Sequence, residues 1–235
     1  MSKVEQCVTL GGIFFGDVEK RWDGKPPSAI NKVKATGLQT ITELGFAGDS
    51  QADLSVHGGI DKAIHHYPGD HYASWQSEGQ MEAGKEPACF GENLSTHGWT
   101  EDMMCIGDII RLGSATLQIS QGRQPCWKLN SHTGNDRMAF LFQKTGRTGW
   151  YYRVLESGAA SPDDLMEIID RPCEGWTIEH VTAGRLRRKI AREDAAMLAQ
   201  MPELAVGWRD AFAKFAAGNR KEDTSARLGG SDTAT

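Results

Sequence analysis

Hydrophobic positions along this chain come in short bursts, most of them too brief and too broken by glycine for helices. Cys7 to Phe15 and Val33 to Leu44 are apolar stretches interrupted by Gly11, Gly12 and Gly37, and they read as strands joined by turns. The cleanest pattern lies at Ile110 to Ser120. Ile110 and Leu112 flank Arg111, Gly113-Ser114 supplies a turn, and Ala115, Leu117 and Ile119 then alternate with Thr116, Gln118 and Ser120. Alternation with period two across a glycine turn predicts a β-hairpin with one apolar face. Gln121 to Asn130, which contains Arg123, Pro125 and Cys126, reads as the loop leaving its second strand.

Helical spacing is sparse before Arg171-Pro172 and dominant after it. Asp70 opens a short helix with Tyr72 and Trp75, and Asp136 to Lys144 forms another that Gly146 stops. Further on, Thr177 is placed to cap a helix carrying Ile178, Val181, Leu186 and Ile190, with Glu179 in its first turn. A second helix runs from Arg192 to Met201, ahead of Pro202. A third sets Leu204, Trp208, Ala211, Phe212 and Phe215 on one stripe. Short amphipathic helices are unstable alone, so these three are expected to pack as a small bundle. The polar stretch from Gly218 reads as disordered. The expected division is therefore a strand-rich domain at 1–171, a three-helix appendage at 172–217 and a tail at 218–235.

Composition sharpens this picture in three ways. Glycine supplies 27 of 235 residues without any repeat, above the average of about 7%, which favours a turn-rich β fold. The formal charge of −5 gives no global basic field for nucleic acid or an anionic membrane, so an anionic ligand must be met by local cations. The five cysteines (Cys7, Cys89, Cys105, Cys126 and Cys173) are odd in number and scattered, with no C-x-x-C pair. That argues against zinc ribbons and thioredoxin motifs and suits a reducing compartment. With no apolar signal core and no run near the roughly 18 apolar residues of a spanning helix, a soluble, cytoplasmic protein is expected.

Candidate chemistry is thinly spread. There is no G-x-G-x-x-G, and Gly11 and Gly16 have P-loop spacing but are followed by Asp17-Val18. Any redox chemistry must then draw electrons from a separate protein. The densest polar cluster runs from His57 through Gly58, Gly59, Asp61 and Lys62 to His65, His66 and Tyr67. Its glycines allow backbone to approach a ligand and Lys62 offers charge for a phosphate, although a glycine turn flanked by solvated charges is the commoner meaning. His57, His65, His66 and His71 follow no familiar zinc spacing. Cys126 stands out among the cysteines because Pro125 fixes the backbone before it and Arg123 lies three residues earlier, at a strand exit. A thiolate there is a soft metal ligand. Cys105, between Met104 and Ile106, reads as core filler, and Asp108 as the closing residue of a turn. No serine sits in a G-x-S-x-G context, so no triad can be assembled.

Taken in order, Ser28-Ala29-Ile30-Asn31-Lys32, Gly45-Phe46-Ala47-Gly48-Asp49, His57-Gly58-Gly59-Ile60-Asp61-Lys62-Ala63, Gly91-Glu92-Asn93-Leu94, Gly107-Asp108 and Pro125-Cys126 resemble the MOSC domain, named for the C-terminal part of molybdenum cofactor sulfurases. The stand-alone bacterial YiiM type is the most similar, and Thr148 to Val154 and the helical end resemble it too. The resemblance implies a mainly β (α+β) fold, an antiparallel β-barrel-like domain with the helices appended. It implies molybdenum cofactor (molybdopterin) held with Cys126 on the metal. Ser28, Lys32, His57, Gly58, Gly59, Asp61, Lys62, Glu92, Asn93 and Arg123 become the candidate contacts to the pterin and its phosphate. Relatives of this kind reduce N-hydroxylated bases and amidoximes, which implies a small N-hydroxylated substrate and a separate flavin or iron–sulfur reductase as donor, with no nucleic acid or membrane partner. Two other classes remain open: a sulfur or cofactor carrier working through Cys126, and a binding module without turnover.

Overall fold

The hairpin written into Ile110 to Ser120 is the middle of a closed barrel. The computed structural model describes residues 5–52, 58–219 and 221–229. Its strands are β1 (Cys7–Phe15), β2 (Val33–Lys34), β3 (Gln39–Thr42), β4 (Gly45–Phe46), β5 (Ile64–His66), β6 (Leu94–Thr96), β7 (Ile109–Leu112), β8 (Ala115–Gly122), β9 (Trp150–Glu156), β10 (Gly158–Ala160) and β11 (Leu165–Asp170). The helices are α1 (Asp70–Ser77), α2 (Lys128–Thr133), α3 (Met138–Thr145), α4 (Ile178–Arg187), α5 (Arg192–Leu198), α6 (Val206–Ala216) and α7 (Ser225–Gly229).

Strands β11, β7, β8, β9, β5, β6 and β1 lie side by side, and β1 pairs back onto β11, closing the ring. Neighbours are antiparallel except β5 and β6, which run parallel through His66 and Leu94. Strand β2 adds to β1, and β10, β3 and β4 form a small separate sheet. Alternation fills the interior: Ile110 and Leu112 from β7, and Trp150, Tyr152 and Val154 from β9, are buried. Strand β8 is buried almost throughout, because its outer face is covered by helices. A Cβ on Gly122 would collide with Thr182 of α4 and approach Trp208 of α6.

The C-terminal helices form where their patterns place them. Thr177 caps α4, its side chain accepting from the His180 backbone N–H at 3.2 Å. Val181, Leu198, Trp208, Phe212 and Phe215 share one continuous apolar cluster with barrel residues such as Leu117 and Ile119. The helices are therefore a cover fused to the barrel wall. Two expectations differ from what forms. The stretch read as a long loop is shorter: Gln121 and Gly122 complete β8 by pairing with Tyr151 and Trp150, and α2 takes up Lys128 onward. Within the stretch read as disordered, α7 forms and docks beside the Cys126 loop.

A second, aromatic core lies under α1, α2 and α3, where Trp75 and Phe142 stack at 5.6 Å and Tyr67, Tyr72 and Phe90 fill the rest. Ile30, Phe90 and Leu129 all plug into it. Two loops and the start of α2, distant in sequence, are thus anchored to one rigid body, and they converge where β8 ends.

Candidate functional site

Two adjoining cavities open at that convergence. The smaller, about 80 Å³, is walled by Ser28, Lys32, Asp49, His65, Arg123 and Cys126. The larger, about 530 Å³, is walled by Lys62, Gln121, Trp127, Tyr151, Arg227 and again Cys126. Lys128 and Tyr151 also face both spaces, so the Cys126 thiol, half-buried, sits at the junction. The β8–β9 pairing shifts register between Ile119 and Gln121, a bulge at the rim. Such bulges bend a strand and re-aim its exit, here the loop carrying Cys126.

The smaller cavity is electropositive. Lys32, Arg123 and Lys128 face it against the single carboxylate of Asp49, inside a chain whose formal charge is −5. Lys32 Nζ lies 2.5 Å from Asp49 Oδ1, with both side chains only 6% exposed. Burial lowers the Lys32 pKa below the usual amine value, and the Asp49 carboxylate opposes that fall. Asp49 is itself fixed by the Gly16 backbone N–H at 2.8 Å and by Asn93 Nδ2 at 2.7 Å. Gly16 is where the backbone must come close: a Cβ there would stand 2.5 Å from the Asn31 carbonyl oxygen and 2.6 Å from that of Ala29. Arg123 is 7% exposed and donates from Nη1 to the Phe90 carbonyl at 2.6 Å. Lys128 Nζ donates to the Pro27 carbonyl at 3.3 Å.

His65 is the most informative wall residue. It is 3% exposed, and neither ring nitrogen has a hydrogen-bond partner of good geometry. Burial drives its pKa well below 6.5, with the Arg123 charge adding to the fall and a nearby Gly91 backbone group opposing it only in part. A neutral imidazole offers one donor and one acceptor. Leaving both unmade in a buried site costs free energy unless a ligand completes them.

Among the residues singled out in the sequence, Cys126, Ser28, Lys32, Lys62 and Arg123 are brought to these cavities. His57 lies outside the described residues. Glu92 and Asn93 stand behind the wall. Fully buried, Glu92 accepts from the Tyr72 hydroxyl and from the backbone N–H groups of Ala88 and Phe90, so its carboxylate is saturated by the fold. Asn93 bridges Asp49, the His65 backbone N–H and the Phe14 carbonyl. Asp61 does not face the cavities either. It pairs with Arg153 at 2.8 Å and accepts from the Val206 backbone N–H, tying β9 to α6. Gly58 and Gly59 line neither cavity, and Gly59, at φ 90°, begins a single 3₁₀ turn over Ile60–Lys62. Asp49, His65, Lys128, Tyr151 and Arg227 were missed. The apolar company of His65, between Ile64 and Tyr67, was the available signal that it is buried.

Cys105 is buried as expected, and Asp108 closes its turn by accepting from the Cys105 backbone N–H at 2.9 Å while pairing with Arg171 at 2.7 Å. Among the described residues no three His, Cys, Asp or Glu side chains gather as a metal set. A metal at Cys126 would then take its other donors from an organic ligand. The wall suits such a group: one soft thiol, a cationic floor for an anion, and an unpartnered imidazole for a polar ring. The residues therefore fit a molybdenum–pterin cofactor.

The MOSC domain family profile matches residues 53–167. The chain is 39% identical over 220 residues to Protein YiiM of Escherichia coli, covering 93% of this chain and 97% of that one. A protein named Reductase from Gibberella moniliformis is 35% identical over 181 residues, 76% of this chain and 32% of that much longer one. The crystal structure of YiiM from Escherichia coli superposes with a TM-score of 0.76 at 33% identity, covering 94% of this chain and 98% of that one. Barrel, helical cover and sequence together make this chain a member of the MOSC domain family.

Proposed function

We propose that this protein holds molybdenum cofactor with Cys126 on the metal and reduces N-hydroxylated compounds, taking electrons from a separate reductase. The observation that carries the reading is the junction geometry: Cys126 stands between a small cationic cavity and a larger one walled by Trp127 and Tyr151. The first has the size and charge for the anionic end of a cofactor, and the second leaves the thiol side open to a substrate. When bound, the cofactor supplies a two-electron centre at which an N–OH group is reduced to N–H with loss of water. The protein's own part is to bind, orient and shield. Lys32, Arg123 and Lys128 meet the anion, His65 completes its hydrogen bonds on the ligand, and the Trp127 and Tyr151 rings exclude water from the substrate side. The name of the Gibberella relative supports a reductase.

The test is molybdenum per chain, measured by mass spectrometry after expression in a host that makes the cofactor. Wild type should carry metal and Cys126→Ser should lose it, while serine at Cys7, Cys89, Cys105 or Cys173 should not matter. With loaded protein, N-hydroxylated purine or amidoxime should be reduced with dithionite or an added flavin reductase and not with NADH alone. Full occupancy in Cys126→Ser would sink the ligand assignment. Loaded protein inert with every donor would favour the carrier reading.

A further inference from the structure

The segment after α6 is polar and, in sequence, plain. In the fold it crosses the loop that presents Cys126. Arg227 Nη1 donates to the Pro125 carbonyl, and its Nη2 donates to Gln143 Oε1 at 2.8 Å. In return the Trp127 backbone N–H donates to the Arg227 carbonyl at 2.8 Å, and Asn130 Nδ2 to the Leu228 carbonyl at 3.0 Å. The two residues that flank Cys126 are thus both tied to Arg227. Ala226 and Arg227 then form part of the wall of the larger cavity.

The far end of the segment is held by charge. Glu222 pairs with Arg185 at 2.6 Å and with Arg188 at 2.7 Å, both from the end of α4. Leu228, partly buried against the aromatic core, adds one apolar contact. No residue of α7 is buried, and an open groove of about 550 Å³ runs between Lys221–Thr224 and the side chains of Gln143 and Arg188. A segment attached by a few part-buried hydrogen bonds, two ion pairs and one apolar side chain opens more easily than the core beneath it.

We propose that Lys221–Gly229 is a strap over the Cys126 cavity, held at one end by the Glu222 ion pairs and at the other by Arg227. Closed, it fixes the Cys126 loop and narrows the larger cavity. Released, it widens the approach to the thiol for a bulky organic ligand. This rests on the reading of Cys126 as the reactive centre of the site, and it concerns what governs access to that centre.

Thiol labelling tests it without the cofactor. Full-length protein from a host lacking the cofactor is treated with N-ethylmaleimide or with the much bulkier fluorescein maleimide, and labelling of Cys126 is followed by peptide mass spectrometry. Half-buried Cys89 serves as an internal control. Wild type should discriminate against the bulky reagent at Cys126. Loss of one anchor in Arg227→Ala or Glu222→Gln should speed bulky labelling about three- to tenfold, the range expected from removing one or two part-buried polar contacts. Added salt should do the same in wild type by screening the Glu222 pairs. Labelling by the small reagent, and all labelling at Cys89, should change little. Unchanged bulky labelling in both variants, with thermal unfolding like wild type, would overturn the strap. If Arg227→Ala does not fold, Glu222→Gln and the salt series decide. Failure of the molybdenum reading would appear as absent metal and would leave these rates untouched.

Discussion

His65 and His66 are neighbours on one three-residue strand, and they live in opposite worlds. His66 points into the barrel, fully buried, with Nδ1 3.0 Å from the Tyr152 hydroxyl, Nε2 3.0 Å from Thr96 Oγ1, and its ring 4.4 Å from that of Trp150. Both of its nitrogens are satisfied within the fold. His65 turns to the other face, because side chains alternate along a strand. There it meets the cavity with both nitrogens unmade. Equal burial with unequal satisfaction separates a residue whose polar groups the fold completes from one whose polar groups it leaves open.

The largest expected effect is on the satisfied side. His66→Leu strips two hydroxyls of their partners in the interior and should destabilise the protein by about 2–5 kcal/mol, read from urea unfolding. A change under ~1 kcal/mol would mean that the barrel network is not worth what its geometry implies.

The next is a pH effect shared by both histidines. Burial lowers His66 to about 3 and His65 well below its ordinary value. Both are neutral when folded and take up protons when unfolded, so their contribution is whole above the unfolded pKa of about 6.5. It is lost as pH falls below that, by about 1.4 kcal/mol per pH unit for each histidine, down toward the folded pKa. Urea midpoints measured across that window should fall with this slope. His65→Leu should remove one histidine's share and leave the rest.

The smallest effect is the most discriminating. His65→Leu replaces an unpartnered polar group by an apolar one of similar size. At neutral pH it should leave stability unchanged or raise it by up to about 1 kcal/mol. The same variant should lose molybdenum or pterin on purification. A large loss of stability would show that His65 belongs with His66 after all.

The hairpin of β7 and β8, the cap of α4 and the place of Cys126 beyond a strand exit were legible because each is a local signal: alternation, a Thr at an N-cap, a Pro-Cys pair after an apolar strand. Strands β5 and β6 were not. Each has three residues, too few for a period to show, and His65-His66 looks polar to any reading that does not know which face is buried. Asp49 stood in the Gly45 to Asp49 run without a role of its own, since its partner Lys32 lies on another loop. Arg227 was hidden in a segment whose composition suggests disorder. What escaped was pairing at a distance, which the order of residues does not display.

The closure of the ring carries one more consequence, for how the chain is made. Strand β1 pairs with β11 through Cys7 and Glu167, and with β6 through Leu10 and Thr96. During synthesis β2 emerges early but pairs only with Phe14 and Phe15, so the rest of β1 waits for β6, complete at Thr96, and for β11, which begins at Leu165. Contacts this distant in sequence are slow to form, since the intervening chain must surrender its freedom before they repay it. For most of translation one edge of β1 therefore carries unpaired backbone next to apolar Val8 and Leu10, the condition in which nascent β proteins are most prone to pair with the wrong neighbour.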